Sequence, residues 1–462
     1  MGKREIGVVF GLILLQGVVQ GYGTEDGSEE WGYVQVRPKA HLFWWLYHSP
    51  QRILNSSDPW PTILWLQGGP GASGVGLGNF KEIGPLDTSL QPRNSTWLQK
   101  ADLLFVDSPV GTGFSFVEED DLFVRTDEEA AIDLVTLLKK LYNNITALQS
   151  SPLFVVAESY GGKHAVTLGL ALLKAIEAGE LKLKLGGIAL GNSWISPEDF
   201  VLSWGPLLLD VSRLGYRDAE NSIRMALQIK EQIATRKYAD ATDSWINLEG
   251  FISGSSNEVD FYNFMEDSRN DPVAATISSS MNSRSMVSAR RVSKYSRYLT
   301  SIKPDASAAQ DIDMDTFMNQ VIRKKLKIIP NSVQWGGQSD GVFVGLYNDF
   351  MKPRIQEVDE LLTKGINVTI YNGQVDLICS TKGVQAWIQK LKWGGLEGFN
   401  KGERRALNCT GRGQNTMGFF KSYANLHFYW ILGAGHFHTP FYSLKKKKKS
   451  TLPFNNRKNK ST

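Results

Sequence analysis

The sequence predicts an α/β fold, with a mostly parallel central sheet flanked by helices and an inserted helical cap. Three observations carry that expectation. Short apolar runs at Thr62-Ile63-Leu64-Trp65-Leu66, Leu103-Leu104-Phe105-Val106 and Leu153-Phe154-Val155-Val156 are each closed by Gly, Pro, Asp or Ser. Strands buried on both faces of a parallel sheet read this way. Between the second and third runs, Asp127 to Tyr142 places Ala130, Ile132, Leu134, Leu137, Leu138 and Leu141 at helical spacing, and Ala165 to Ala178 repeats the pattern after the third. Strand and helix therefore alternate, as in doubly wound α/β proteins. Third, the stretch from about 200 to 330 changes character to charged helical patterns, which marks an insertion.

Taken in order, Lys3 and Arg4 precede an apolar run from Ile6 to Leu15 and small residues at Val19-Gln20-Gly21. That pattern reads as a signal peptide over 1–21, and the run is too short for a membrane span of roughly 20 residues. Entry into the secretory pathway follows as an expectation, with a secreted or lysosomal destination and no stable membrane insertion. Trp31 to Trp45 alternates apolar and polar residues and ends in Leu42-Phe43-Trp44-Trp45, as strands of a meander do. Further strands are expected at Gly187-Ile188-Ala189-Leu190, at Asn367 to Tyr371 and at Leu426 to Ile431. The domain reading is an α/β body in two parts, 22–200 and 331–444, separated by the cap at 201–330 and followed by a basic tail at 445–462. Within the cap, Ile277-Ser278-Ser279-Ser280 leading to Arg284, Arg290 and Arg291 reads as a flexible, protease-sensitive loop.

The formal charge of +4 does not argue for nucleic acid. Eight basic residues and no acid lie in the tail, at Lys445 to Lys449, Arg457, Lys458 and Lys460, and without them the balance is −4. Two cysteines, Cys379 and Cys409, exclude a disulfide scaffold and stand either as one bridge or as two thiols. Sequons at Asn55, Asn94, Asn144, Asn367 and Asn408 are candidate glycosylation sites that agree with the secretory route. No metal site and no cofactor is expected.

The chemistry centres on Ser159. Leu153 to Val156, then Ala157-Glu158-Ser159-Tyr160-Gly161-Gly162, then a helix make a strand, a tight turn holding a serine and a helix, which is the nucleophile elbow of the α/β-hydrolase fold. Ala157 replaces the usual first glycine at some steric cost. Downstream, in the Ser, acid, His order of that fold, two strand exits carry Asp376 and His436. His436 would serve as general base, with Asp376 fixing its tautomer. Of the other late histidines, His427 lies inside an expected strand and reads as a core residue, and His438 is the rival base. Gln67-Gly68-Gly69-Pro70-Gly71 follows a buried strand, so the Gly69 and Tyr160 N–H groups are the candidate oxyanion donors.

These residues resemble the serine carboxypeptidases. Trp65-Leu66-Gln67-Gly68-Gly69-Pro70-Gly71 looks like that family's W-L-N-G-G-P-G, and Val106 to Ser115 is similar to its second signature. Glu158 to Gly162 matches the nucleophile, Asn372 to Asp376 the acid and Ala434-Gly435-His436 the base. The resemblance implies an exopeptidase acting on peptide or protein C-termini through an acyl-enzyme at Ser159. It also implies a carboxylate-binding set mapping onto Trp65, Gln67, Glu82 and Glu158. A protonated Glu158 donates to a carboxylate where an ionised one repels it, so acidic pH is favoured. The competing reading of Glu158 is a helix N-terminal charge.

Departures from the family pattern are Ala72, where many members have a bridging Cys, and Phe437-His438-Thr439-Pro440, which gives way to the basic tail where members continue into a terminal helix. Cys379 falls where some members carry a free thiol. Two alternatives follow: a weakly active member acting as a binding protein, motivated by the unusual C-terminal end and Ala157, and an acyltransferase using the same acyl-enzyme.

Overall fold

The computed structural model describes residues 20–53, 59–268, 313–408 and 416–437. Most of the expected leader, Asn55, the Ser/Arg-rich part of the expected insertion, Cys409, His438 and the basic tail lie outside them.

Among the described residues, twelve strands form one sheet: β1 (Gln20–Gly23), β2 (Glu29–Arg37), β3 (Ala40–Tyr47), β4 (Thr62–Leu66), β5 (Asp102–Val106), β6 (Phe116–Val117), β7 (Leu153–Glu158), β8 (Leu185–Gly191), β9 (Val368–Gly373), β10 (Arg405–Asn408), β11 (Thr416–Tyr423) and β12 (Leu426–Ile431). Their spatial order is β1-β2-β3-β5-β4-β7-β8-β9-β12-β11-β10, with β6 against β3. The middle run from β5 to β12 is parallel, and antiparallel strands close both edges.

The central parallel strands β4, β5 and β7 are buried along their whole length because both faces are covered, and alternation sorts their side chains. Leu64 and Leu66 of β4, Leu104 and Val106 of β5, and Leu153, Val155 and Ala157 of β7 enter one core. Ile63 and Trp65, Leu103 and Phe105, and Phe154 and Val156 enter the other, which is rich in aromatic rings. This period of two decides which side chains can meet beyond the strand ends.

The first core is covered by α1 (Asp127–Asn144), capped by the Thr126 hydroxyl on Glu129 N–H, and by α2 (Gly161–Glu177). Residues 197–255 form three further helices, α3 (Pro197–Asp210), α4 (Tyr216–Ala234) and α5 (Tyr238–Ser255), joined to the same core through Phe200, Trp204, Ile229 and Trp245. Gly74–Ile83 is a wide helix on the second face, continuing from the loop after β4. Among the described residues no helix is long and apolar enough to cross a membrane.

The edge strands β1, β6, β10 and β11 were not evident from the sequence. β11 is mostly exposed or half-buried, so it lacks a clean apolar alternation. His427 differs from its expected core role: it is half-buried on β12, with Nδ1 3.0 Å from Ser422 Oγ.

Candidate active site

The C-terminal ends of the parallel strands β4, β7, β8, β9 and β12 lie along one rim of the sheet, the usual place for a site in such folds. Ser159 follows β7 with φ 57°, a left-handed conformation that costs a non-glycine residue roughly 1–2 kcal/mol. Its N–H donates to Gly191 O at 3.0 Å, and its C=O accepts from Gly162 N at 3.1 Å and Trp194 N at 2.9 Å. Those bonds hold the turn against its strain. The need for a small residue falls on Gly161, where a Cβ would lie 2.4 Å from Leu66 O. Ala157, by contrast, is part of the first core between β4 and β8, so its methyl occupies an ordinary sheet position.

Asp376 and His436 leave β9 and β12, which pair in parallel. His436 Nδ1 is 2.8 Å from Asp376 Oδ2, and both side chains are fully buried. Asp376 Oδ1 accepts from Cys379 N at 3.1 Å. Burial pushes the Asp376 carboxyl up, and His436 opposes that shift. The imidazole thus presents Nε2, which is buried without a hydrogen-bond partner among the described residues.

Two residues that the sequence reading missed tie these loops together. Asn192, at φ 41° just after β8, donates from Nδ2 to Gly435 O at 3.0 Å and His436 O at 2.6 Å, and its Oδ1 accepts from Gly373 N at 2.9 Å. A single amide therefore links the acid loop and the base loop one residue after the Gly191 carbonyl that holds Ser159. From the segment after α5, Tyr262 O accepts from His436 N at 2.8 Å, and the Tyr262 ring packs 5.2 Å from the imidazole. Its neighbour Phe261 O accepts from Leu377 N and Ile378 N. Asp260 fixes this turn by accepting Tyr262 N at 2.7 Å. The only sequence signals were a polar Asn after an apolar strand and an Asp two residues before a Tyr, both common without function.

On the other face, alternation carries Ile63, Trp65 and then Gln67 beside Val156 and then Glu158. Trp65 Nε1 donates to Gln67 Oε1 at 2.7 Å, and Gln67 Nε2 to Glu158 Oε1 at 2.9 Å. Glu82 comes from the wide helix, whose final carbonyls, Phe80, Lys81 and Glu82 O, accept from the Arg93 guanidinium at 2.8, 3.0 and 2.7 Å. The Glu82 and Glu158 carboxyls share a hydrogen bond. Burial raises Glu158 well above the usual carboxylate range, and the Glu82 charge raises it further; burial also raises Glu82. Both carboxyls are thus shifted upward, Glu158 the more strongly. Glu158 does not cap α2, which starts with no side-chain cap.

Gly69 has φ 108°, and a Cβ there would lie 2.7 Å from Gln338 Oε1 and 2.8 Å from Ala72 N, so only glycine fits. The second signature works on this loop: Asp107 accepts from Ser73 Oγ at 2.6 Å, Val75 N at 3.1 Å and Phe114 N at 2.8 Å. Neither the Gly69 nor the Tyr160 N–H has a backbone acceptor among the described residues.

Cys379 is a buried free thiol. Asp376, Cys379 and His436 each bring one ligand atom within 4.8 Å of the others. The set suits a metal poorly, because burial holds the thiol protonated and Asp376 and His436 already bond each other.

The residues from 21 to 450 match the family model described as serine carboxypeptidase. The chain belongs to the serine carboxypeptidase family. It is a serine-type carboxypeptidase, a hydrolase acting on peptides, and neither the binding-protein nor the acyltransferase alternative is favoured. It is 60% identical over 418 residues to serine carboxypeptidase-like 51 of Arabidopsis thaliana, covering 90% of this chain and 89% of that one. To the retinoid-inducible serine carboxypeptidase of Homo sapiens it is 45% identical over 420 residues, covering 91% and 90%. Among solved structures, the prohormone-processing carboxypeptidase Kex1(Δ)p of Saccharomyces cerevisiae superposes with a TM-score of 0.69 at 22% identity, covering 90% of this chain and 88% of that one. That likeness shows the shared α/β-hydrolase fold.

Proposed function

We propose that the enzyme removes C-terminal residues from peptides and proteins through an acyl-enzyme at Ser159, and that it works best at acidic pH. The observation that carries this reading is the hydrogen-bonded set in which Trp65 bonds Gln67 and Gln67 bonds the buried Glu158, one residue before Ser159, with the half-buried Glu82 beside it.

A substrate's terminal carboxylate brings one negative charge to that set. A neutral Glu158 donates a hydrogen bond to it, and the second Nε2 hydrogen of Gln67, an amide oriented by Trp65 Nε1, supplies a further donor. The scissile carbonyl then sits at Ser159. Ser159 Oγ attacks the carbonyl carbon while His436 Nε2 takes the hydroxyl proton, and the oxygen, now negative, is met by the Gly69 and Tyr160 N–H groups. Asp376 stabilises the imidazolium. His436 next gives its proton to the departing amino group, the C–N bond breaks and the terminal amino acid leaves. Water repeats the sequence on the ester and restores Ser159.

Loss of the shared proton would set two carboxylates against the substrate's own, which is the physical reason for acid preference. A secreted or lysosomal location agrees with it. The exposed Asn94, Asn144 and Asn408 and the half-buried Asn367 are proposed to carry glycans, as is Asn55.

Incubation with N-blocked dipeptides near pH 5 tests the reading. Wild type should release the C-terminal amino acid and Ser159→Ala should not; release by Ser159→Ala, or none by wild type, would sink it.

A further inference from the structure

Beneath the elbow, on the face of the sheet away from the carboxylate set, lies a buried charged cluster that the mechanism leaves unused. Tyr160 directly follows Ser159, but its side chain turns into the first core and is 1% exposed. Its hydroxyl donates to Asp127 Oδ1 at 2.8 Å. Its ring stacks on Phe350 at 5.6 Å, with planes 7° apart, and the Lys163 ammonium lies 4.5 Å from the ring centre.

Asp127 is itself held. Arg354 Nε donates to its Oδ2 at 2.9 Å, and the Asp127 N–H donates to Asp349 Oδ2 at 2.9 Å, which also accepts from Arg354 at 2.8 Å. Lys163 Nζ donates to Phe350 O at 3.1 Å, and the Asp349 carbonyl accepts from it too. Arg354 N donates to Ile195 O at 2.8 Å, next to the Trp194 N–H that holds the Ser159 carbonyl. Burying Asp127, Lys163 and Arg354 carries a desolvation cost of several kcal/mol per ion, and well-packed apolar residues could fill the same space at no such cost. What the charges add is a fixed geometry around the Tyr160 ring.

We infer that Asp127 is a positioning residue for catalysis. By accepting the Tyr160 hydroxyl from beneath, it holds Tyr160 in one orientation and keeps the Tyr160 N–H aimed at the oxyanion. Ser159 is anchored on one side of that peptide through Gly191 and Trp194, and Asp127 anchors the other through the ring. This inference rests on the assignment of Ser159 and the Tyr160 N–H made above.

Tyr160→Phe removes the anchoring bond and keeps ring, stacking and backbone. Against an N-blocked dipeptide near pH 5, with active sites titrated by a fluorophosphonate, it should lower kcat about tenfold with KM unchanged, since small misalignment of a preorganised donor costs less than the roughly 100-fold or more of its removal. Affinity for an N-blocked amino aldehyde, whose hemiacetal oxygen occupies the same position, should fall by the same factor. Asp127→Ala, which removes the acceptor, should reproduce both losses if it folds, and Tyr160→Phe decides if it does not. Glu357→Gln, which touches only the outer side of Arg354, should change neither. Wild-type kcat and aldehyde affinity in Tyr160→Phe, beside a dead Ser159→Ala, would overturn the inference alone. A loss that vanishes on normalising to titrated sites would show a merely structural role and overturn it as well. Undiminished release by Ser159→Ala would remove the underlying assignment with it.

Discussion

At the scale of single residues, the decisive group is Glu158. Its carboxyl is raised by burial and by Glu82, so the site is neutral in acid and becomes anionic as pH climbs through the raised value. Glu158→Gln keeps the bond to Gln67 but cannot ionise. In this variant KM should rise less steeply with pH than in wild type, and this is checked by KM for an N-blocked dipeptide from pH 4 to 8. Glu158→Ala loses the hydrogen bond itself. A bond to a charged group contributes about 1.5–3 kcal/mol, so kcat/KM at pH 5 should fall about 10- to 100-fold. Gly161→Ala tests the elbow. Its Cβ would meet Leu66 O at 2.4 Å, a backbone atom that cannot step aside, so overpacking of about 1–3 kcal/mol or more is expected in denaturant unfolding.

At the scale of elements, the loop after β8 and the segments at the ends of β9 and β12 act as one unit because Asn192, in the first, bonds the other two. Asn192→Asp keeps the left-handed preference and the Oδ1 acceptor but loses both Nδ2 donors. It should lower kcat about tenfold with KM little changed, read from steady-state kinetics; a misplaced base loses rate before it loses binding. These loops also show what the sequence could and could not reveal. The central strands were legible because burial on both faces leaves an unbroken apolar run, and β4 begins and ends where its run does; β12 matches its run too, although alternate residues are half-buried. Ser159, Asp376 and His436 were legible because each ends such a run in the expected order. Asn192 and Tyr262 act through backbone atoms or a single amide, and those roles depend on long-range proximity that leaves no local pattern. Asp127 shows the same limit: it reads as an acidic first-turn residue of α1, and only the folded chain sets it beneath Tyr160.

At the scale of the whole molecule, several buried groups favour an acidic medium for stability as well as for binding. Burial raises Asp107 and Asp260 to about 6 from 3.8, so the folded state holds protons that the unfolded chain releases. Their contribution is present below the ordinary carboxylate pKa and is lost as pH rises to about 6. His48, between Glu30 and Asp102, is raised to about 9 from 6.5, so its contribution is complete below about pH 6.5 and is lost as pH rises towards 9. The melting temperature should therefore decline from pH 5 to 9, and calorimetry on His48→Gln should show a flatter decline above pH 6.5. Both effects, in stability and in catalysis, involve carboxyls that burial raises, Glu158 at the site and Asp107 and Asp260 elsewhere. The most direct test of that account is the ratio of kcat/KM for an N-blocked dipeptide acid to that for the same dipeptide with a C-terminal amide, measured from pH 4 to 8. A large preference for the free acid near pH 5 that shrinks as pH rises is the result expected from a protonated Glu158–Glu82 pair; a ratio near one, or one that does not change with pH, would contradict it.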